Sequence, residues 1–134
     1  MVDGDESTND TVLMFANGMA GNTLLDRKHH DWRKFRHAVG YVAEQLALAI
    51  VKDGEGVTKF VTVTVSGAAS SHDARVAARA IAQSPLVKTS WNGGDPNWGR
   101  IMAAIGYSGA RVDDSRVDIT FGDLSAVKAG RTAD

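Results

Sequence analysis

Residues 57–85 read VTKFVTVTVSGAASSHDARVAARAIAQSP, and this stretch decides the fold class. Val61, Val63 and Val65 alternate with Thr62 and Thr64, the two-residue period of a strand, and β-branched side chains suit a pleated surface. After the break at Gly67, Ser70-x-x-Asp73 resembles a capping box with Asp in place of Glu, and opens an alanine-rich helix that Pro85 closes. Small side chains let that helix lie close to a sheet. A strand passing straight into a helix predicts an α/β domain of layered helices and sheet.

The flanking segments extend this pattern. Upstream, Trp32, Phe35, Val39, Val42, Leu46 and Ile50 recur at spacings of three and four, with Asp31 as N-cap and Gly54 just past the last turn, which predicts a helix over 31–53. Its apolar face is expected to pack on a central strand at 58–66. The short apolar run TVLMFANG at 11–18, ended by Asn17-Gly18, reads as a buried strand. Downstream, GGDPNWGRIMAAIG at 93–106 carries Asp95 as N-cap, Pro96 at the first helical position, Trp98, Ile101, Met102 and Ile105 on one face, and Gly106 past the end. Val117, Ile119 and Phe121 alternate in a strand entered from the turn VDDS, and residues 122–134 are expected to form an irregular tail. The predicted order is strand, helix, strand, helix, helix, strand.

Composition limits the function. The chain has 134 residues, 43% of them hydrophobic, enough for one domain with a single core. A formal net charge of -1 supplies no field that would draw nucleic acid or an anionic membrane. The longest apolar run, LALAIV at 46–51, is far short of a bilayer span, and the N-terminal residues lack the basic-then-apolar order of a secretion signal, so the expected compartment is the cytoplasm. Without cysteine there is no disulfide, thiolate metal site or cysteine nucleophile.

Each candidate for chemistry has an ordinary structural rival. Asp3, Asp5, Ser7 and Asn9 alternate as in a calcium loop, but the loop's sixth and twelfth positions hold Thr8 and Met14 where glycine and a bidentate glutamate belong. His29, His30, Asp31 and His37 could donate to a metal, yet adjacent histidines before a helix cap read better as a solvated turn. No metal is expected. Gly106-Tyr-Ser-Gly-Ala resembles a nucleophile elbow with Ala for the last Gly, and it follows a helix instead of a strand, so a helix exit is the better reading. WNGGDPNWGR at 91–100 places glycines before a helix N-terminus, where backbone N–H groups and Arg100 could hold an anion, while Trp91 and Trp98 suit core packing.

Three blocks in order carry a more specific signal: STNDTVLMFANG at 7–18, DGEGVTKFVTVTVSGA at 53–68 and SPLVKTSWNGGDPNWGRIMAAIGYSG at 84–109. Together they resemble the ornithine acetyltransferase (glutamate N-acetyltransferase) family of arginine biosynthesis. The resemblance implies a layered αββα fold, of which these residues form a single partial domain, and a chain cut at an internal Ala-Thr bond so that the freed threonine takes the acetyl group. The family's K-G-S-G-M-I-A-P…A-T-M-L segment, with that threonine and the oxyanion pair, has no counterpart in residues 1–134. These residues therefore resemble an interior piece of the second subunit, inactive by itself, with no catalytic residue of its own.

By the same resemblance Glu55, in GEGVTK, is expected to contact the amino-acid substrate, since a carboxylate can pair with an ornithine ammonium by a charge-assisted hydrogen bond. Asn9 and Asp10 are expected to support the site by satisfying nearby backbone groups. Lys88, Asn97 and Arg100 are assigned to structure first. The implied activity is acetyl transfer between N-acetylornithine and glutamate through an acetyl-threonine, without metal or nucleotide cofactor, with acetyl-CoA as a further donor in some members. The implied parent assembly is an α/β heterotetramer with small-molecule substrates as its partners, and no nucleic acid or membrane. Two other readings stand beside it: a non-catalytic remnant or interaction domain that keeps the fold, and a related amidohydrolase with an N-terminal nucleophile. If these residues alone turned over, the nucleophile would be sought among Ser7, Thr8 and Thr11.

Overall fold

A computed structural model describes residues 4–133. The chain forms two compact units: one is Asp5–Val57, and the other runs from Thr58 onward and takes in Gly4.

The first unit is dominated by helix α1, Trp32–Lys52. Its bounds agree with the apolar periodicity, and Asp31 holds the N-cap position, but the Asp31 side chain makes no capping bond. The helix buries none of its residues, and Val42, Leu46 and Ile50 are all more than half exposed. The expected packing of this stripe on a strand is therefore corrected. So is the strand at 11–18: those residues join no ladder, and Val12 and Phe15 are 86% and 87% exposed. Apolar periodicity specifies a surface able to be buried, but not what buries it, and a lone segment has no neighbour with which to form a ladder.

The second unit holds the core. Its helices are α2, Ser71–Gln83; α3, Pro85–Gly93; and α4, Trp98–Tyr107. A 3₁₀ turn at Asp114–Arg116 leads to three antiparallel strands in sequential order, β1 (Ile119–Phe121), β2 (Leu124–Lys128) and β3 (Arg131–Thr132). Ile81, Val87, Ile101, Ala104, Ile119 and Val127 form the buried cluster, and Trp91, Trp98, Met102, Ile105 and Phe121 pack around it. The apolar face read for α4 is thus the core face. This is a partial α/β fold of helices with a small sheet.

Four details depart from the sequence reading. Residues 58–66 form no strand despite their alternation. Pro85 does not merely end α2: Ser84 accepts a hydrogen bond from the Val87 N–H at 3.3 Å and Pro85 takes the first helical position, so a separate helix starts there. Helix α4 is capped by Asn97, not Asp95, because the Asn97 Oδ1 accepts from the Arg100 N–H at 3.1 Å, and the helix runs through Gly106 to Tyr107. Of the irregular tail expected at 122–134, the described residues 122–133 instead form hairpins. Phe121 pairs with Leu124 across a two-residue Gly122-Asp123 turn, and Lys128 with Arg131 across Ala129-Gly130. Both residues of the second turn have positive φ, 48° and 72°, as in a type I′ hairpin, whose twist matches that of paired strands.

Candidate functional site

Glu55 lies in the first unit at the corner of a turn directly after α1. The Val57 N–H donates to the Gly54 carbonyl at 3.1 Å, and Gly56 has φ +68°, the left-handed value that the third residue of a type II turn needs. Gly56 supplies it without steric cost. The carboxylate of Glu55 is exposed at the second position, free of any packing that would withhold it from a cationic ligand.

Beyond the turn, in the second unit, Lys59 donates from Nζ to the carbonyls of Trp91 at 2.5 Å and Asn92 at 2.9 Å. These belong to the last turn of α3, which carries the negative end of the helix dipole. Gly94, in the left-handed conformation at φ 71°, completes that end by donating its N–H to Ser90 and Trp91. Lys59 was not singled out from the sequence, although GEGVTK contains it.

Asn9 and Asp10 occupy an exposed turn in which the Ser7 hydroxyl accepts from both of their N–H groups, at 3.2 and 3.0 Å. Within this turn Ser7 satisfies the backbone of Asn9 and Asp10. Thr8 donates its hydroxyl to Asn9 Oδ1 at 2.6 Å. Thr11 lies next to this turn and is exposed, as are Ser7 and Thr8.

The Asp95, Asn97 and Arg100 side chains of WNGGDPNWGR are engaged within the polypeptide. Arg100 reaches the Leu86 carbonyl at 2.7 Å and the Thr89 hydroxyl at 3.0 Å, tying α4 to α3, and Asn97 also donates to Asp95 at 2.9 Å. The structural roles assigned to Asn97 and Arg100 are those observed. Lys88 is half-buried on α3. At the Gly-Tyr-Ser-Gly-Ala stretch, Ser108 donates to the Ile105 carbonyl at 2.6 Å and accepts from the Ala110 N–H at 3.1 Å, which makes it a helix exit.

His29, His30 and Asp31 bring one potential ligand atom each within 4.8 Å of one another, while His37 does not join them. Local bonds occupy them. His29 Nδ1 accepts from the Asp31 N–H at 3.1 Å, so the neutral ring carries its proton on Nε2, 3.0 Å from the Thr23 hydroxyl. Asp31 faces Lys34 at 3.0 Å and His30 at 2.8 Å, and the Lys34 hydrogen bond, with the charge of His30, holds its carboxyl below the usual range. A metal would have to displace these partners.

A cavity of about 1520 Å³ opens in the second unit between residues 61–69 and 110–122. Val61, Val63, Ile81, Ile101, Ile119 and Phe121 give it apolar walls, and Asp73 is its buried acid. Asp73 accepts from the Ser70 hydroxyl at 2.5 Å and from the Arg111 N–H at 3.1 Å, with the Arg111 guanidinium 3.6 Å away. Those bonds, the Ser70 one foremost, lower its pKa against the opposing effect of burial. With its oxygens engaged, Asp73 is a joint between α2 and the chain after α4.

No helix among the described residues is long and apolar enough to cross a membrane. Comparison with known proteins supplies the remaining context. The chain is 52% identical over 129 residues to the arginine biosynthesis bifunctional protein ArgJ of Symbiobacterium thermophilum, covering 96% of this chain and 32% of that protein. It is 53% identical to the protein of the same name from Geobacter sulfurreducens (96% and 33% covered), and 49% identical to the mitochondrial one of Schizosaccharomyces pombe (90% and 27%). The crystal structure of the Bacillus halodurans arginine biosynthesis bifunctional protein ArgJ superposes with a TM-score of 0.88 at 45% identity, over 99% of this chain and 62% of that one. The chain thus spans about a third of the length of the curated relatives it matches. The model of the ArgJ family matches residues 1–134, every residue of the sequence, and the chain belongs to that family.

Proposed function

We propose that the protein containing this chain transfers an acetyl group between N-acetylornithine and glutamate, and that these 134 residues supply part of the amino-acid subsite, with Glu55 pairing with a substrate ammonium. The observation that carries this reading is the family match over the entire chain. The exposed turn of Glu55 supports it, because an unencumbered carboxylate is free to form a charge-assisted bond. The chemistry is ping-pong: a threonine oxygen outside residues 1–134 attacks the acetyl carbonyl, ornithine leaves, and glutamate then accepts the acetyl group. Acetyl-CoA as an additional donor fits the word bifunctional in the relatives' names. The α/β heterotetramer and a cytoplasmic location complete the proposal.

Two experiments test it. In a complete family member carrying this segment, Glu55→Gln should raise KM for N-acetylornithine by about 10- to 100-fold, the equivalent of one hydrogen bond to a charged group, and leave self-cleavage unchanged. Parental kinetics would return Glu55 to an ordinary exposed turn. The isolated 134-residue chain, incubated with N-acetylornithine and glutamate, should release no ornithine and gain no acetyl mass. Turnover with a trapped adduct would shift the search for the nucleophile to Ser7, Thr8 and Thr11.

A further inference from the structure

We infer that Asn17-Gly18 is a spontaneous modification site, at which Asn17 converts to aspartate and isoaspartate through a cyclic imide, while the other Asn-Gly pair, Asn92-Gly93, is protected by its helix. The two pairs share a dipeptide and differ in backbone. Both asparagines are exposed, so access of water does not separate them. Asn17-Gly18 lies in the first unit, in a stretch outside any helix or strand, and Asn17 Oδ1 accepts a hydrogen bond from the Met19 N–H at 3.0 Å, an Asx turn. The ring closed by that bond contains the Gly18 amide, so the side-chain carbonyl is carried alongside the nitrogen that must attack it. Gly18 has φ 70°, and nothing lies within 4 Å of where a Cβ would stand, which leaves that nitrogen unshielded.

The reaction exchanges one water for one ammonia and needs no cofactor. The Gly18 nitrogen gives its proton to solvent base and attacks Asn17 Cγ; the N–Cγ bond forms, the Cγ–Nδ2 bond breaks, and the amide nitrogen leaves as ammonia. Negative charge gathers on Oδ1 in that step, where the Met19 N–H already donates, as a donor placed for an oxyanion does. Water then opens the imide. Cleavage of the N–Cγ bond leaves aspartate, and cleavage between the nitrogen and the main-chain carbonyl carbon leaves isoaspartate, with the chain routed through the side chain. Either product adds one negative charge to a chain of formal net charge -1. At Asn92 the backbone opposes the same chemistry. Asn92 and Gly93 are the last residues of α3, where helical φ and ψ turn the following nitrogen away from the side chain and bond its N–H within the helix. Lys59 also holds the Asn92 carbonyl, at 2.9 Å. Cyclisation there waits for the last turn to open.

The test follows both sites in the 134-residue chain, incubated in mildly alkaline buffer and, in parallel, in concentrated guanidinium chloride. Tryptic peptides 1–27 and 89–100 separate the two asparagines, fragment masses locate the replacement of NH2 by OH, and isoaspartyl methyltransferase with labelled S-adenosylmethionine reports isoaspartate. In native buffer Asn17 should convert at least about tenfold faster than Asn92, the factor set by opening the last turn of α3, and in guanidinium chloride the two should agree within about threefold. Gly18→Ala, which shields the nitrogen and disfavours the left-handed turn, should slow Asn17 by about tenfold. Equal native rates at the two sites, a faster Asn92, or a native Asn17 rate about tenfold or more below its denatured rate overturns the inference. So does a parental rate for Gly18→Ala.

Discussion

The second hairpin offers a controlled measurement of backbone crowding. Gly130 and Gly122 both have left-handed φ, 72° and 58°, but their surroundings differ. A Cβ on Gly130 would lie 2.3 Å from the Asp114 carbonyl oxygen and 2.9 Å from the Ser115 Cα, whereas one on Gly122 would meet nothing within 4 Å. Alanine at either site incurs about 1–2 kcal/mol for the left-handed conformation, offset by about 0.4–1 kcal/mol from a less free unfolded chain. Only Gly130→Ala adds overpacking, typically about 1–3 kcal/mol, against backbone that has no rotamer with which to yield. Gly122→Ala should therefore be mild and Gly130→Ala worse by about 1–3 kcal/mol. The assay is urea unfolding in a Trp32→Phe background, where fluorescence from Trp91 and Trp98 reports the second unit alone. Equal loss in the two variants, within about 0.5 kcal/mol, would refute the crowding geometry.

Three further outcomes concern a turn residue, a buried acid and a helix face. Ala129, at φ 48°, is an unfavourable residue for a type I′ turn, and Ala129→Asn should stabilise the second unit by about 0.5–1 kcal/mol by the same urea assay. Asp73 has a folded pKa lowered from 3.8, so the stability it contributes is present above that value and is lost as pH falls through the folded pKa; the stability gap between parent and Asp73→Asn should be flat above about pH 5 and shrink below about pH 4. Val42, 55% exposed, should tolerate Asp within about 0.5 kcal/mol in the isolated chain, whereas Ala104→Asp, at a position 0% exposed, should cost several, about 3 kcal/mol or more, as thermal unfolding of each variant would reveal.

What could be read from the sequence was whatever a few neighbouring residues determine. The bounds of α1 and α2, the core face of α4 and the local duty of Arg100 follow from spacing, caps and chain proximity. Two signals were present but unread. Ser84-Pro85 is an N-cap followed by a first-turn proline, and Phe-Gly-Asp-Leu at 121–124 is a two-residue hairpin turn between apolar runs. The strands expected at 11–18 and 58–66 failed for another reason: alternation is a property of one segment, a ladder is a property of two. At the candidate site, the type II turn was implicit in Gly56, but the bond from Lys59 to α3 links residues about thirty positions apart, and no local pattern encodes it.

The succession of α2, α3, α4 and the two hairpins has a kinetic consequence. Each element of the second unit packs on near neighbours along the chain, so its nucleus requires few long loops to close before contacts begin to accumulate. Burial of Trp91 and Trp98 should therefore belong to the fast refolding phase, on the microsecond-to-millisecond scale of topologies rich in local contacts, about as quickly as small helical bundles fold. The contacts that close longer loops, Lys59 with α3 at a separation of 32 and 33 residues and Asp73 with Arg111 at 38, should form after these local ones.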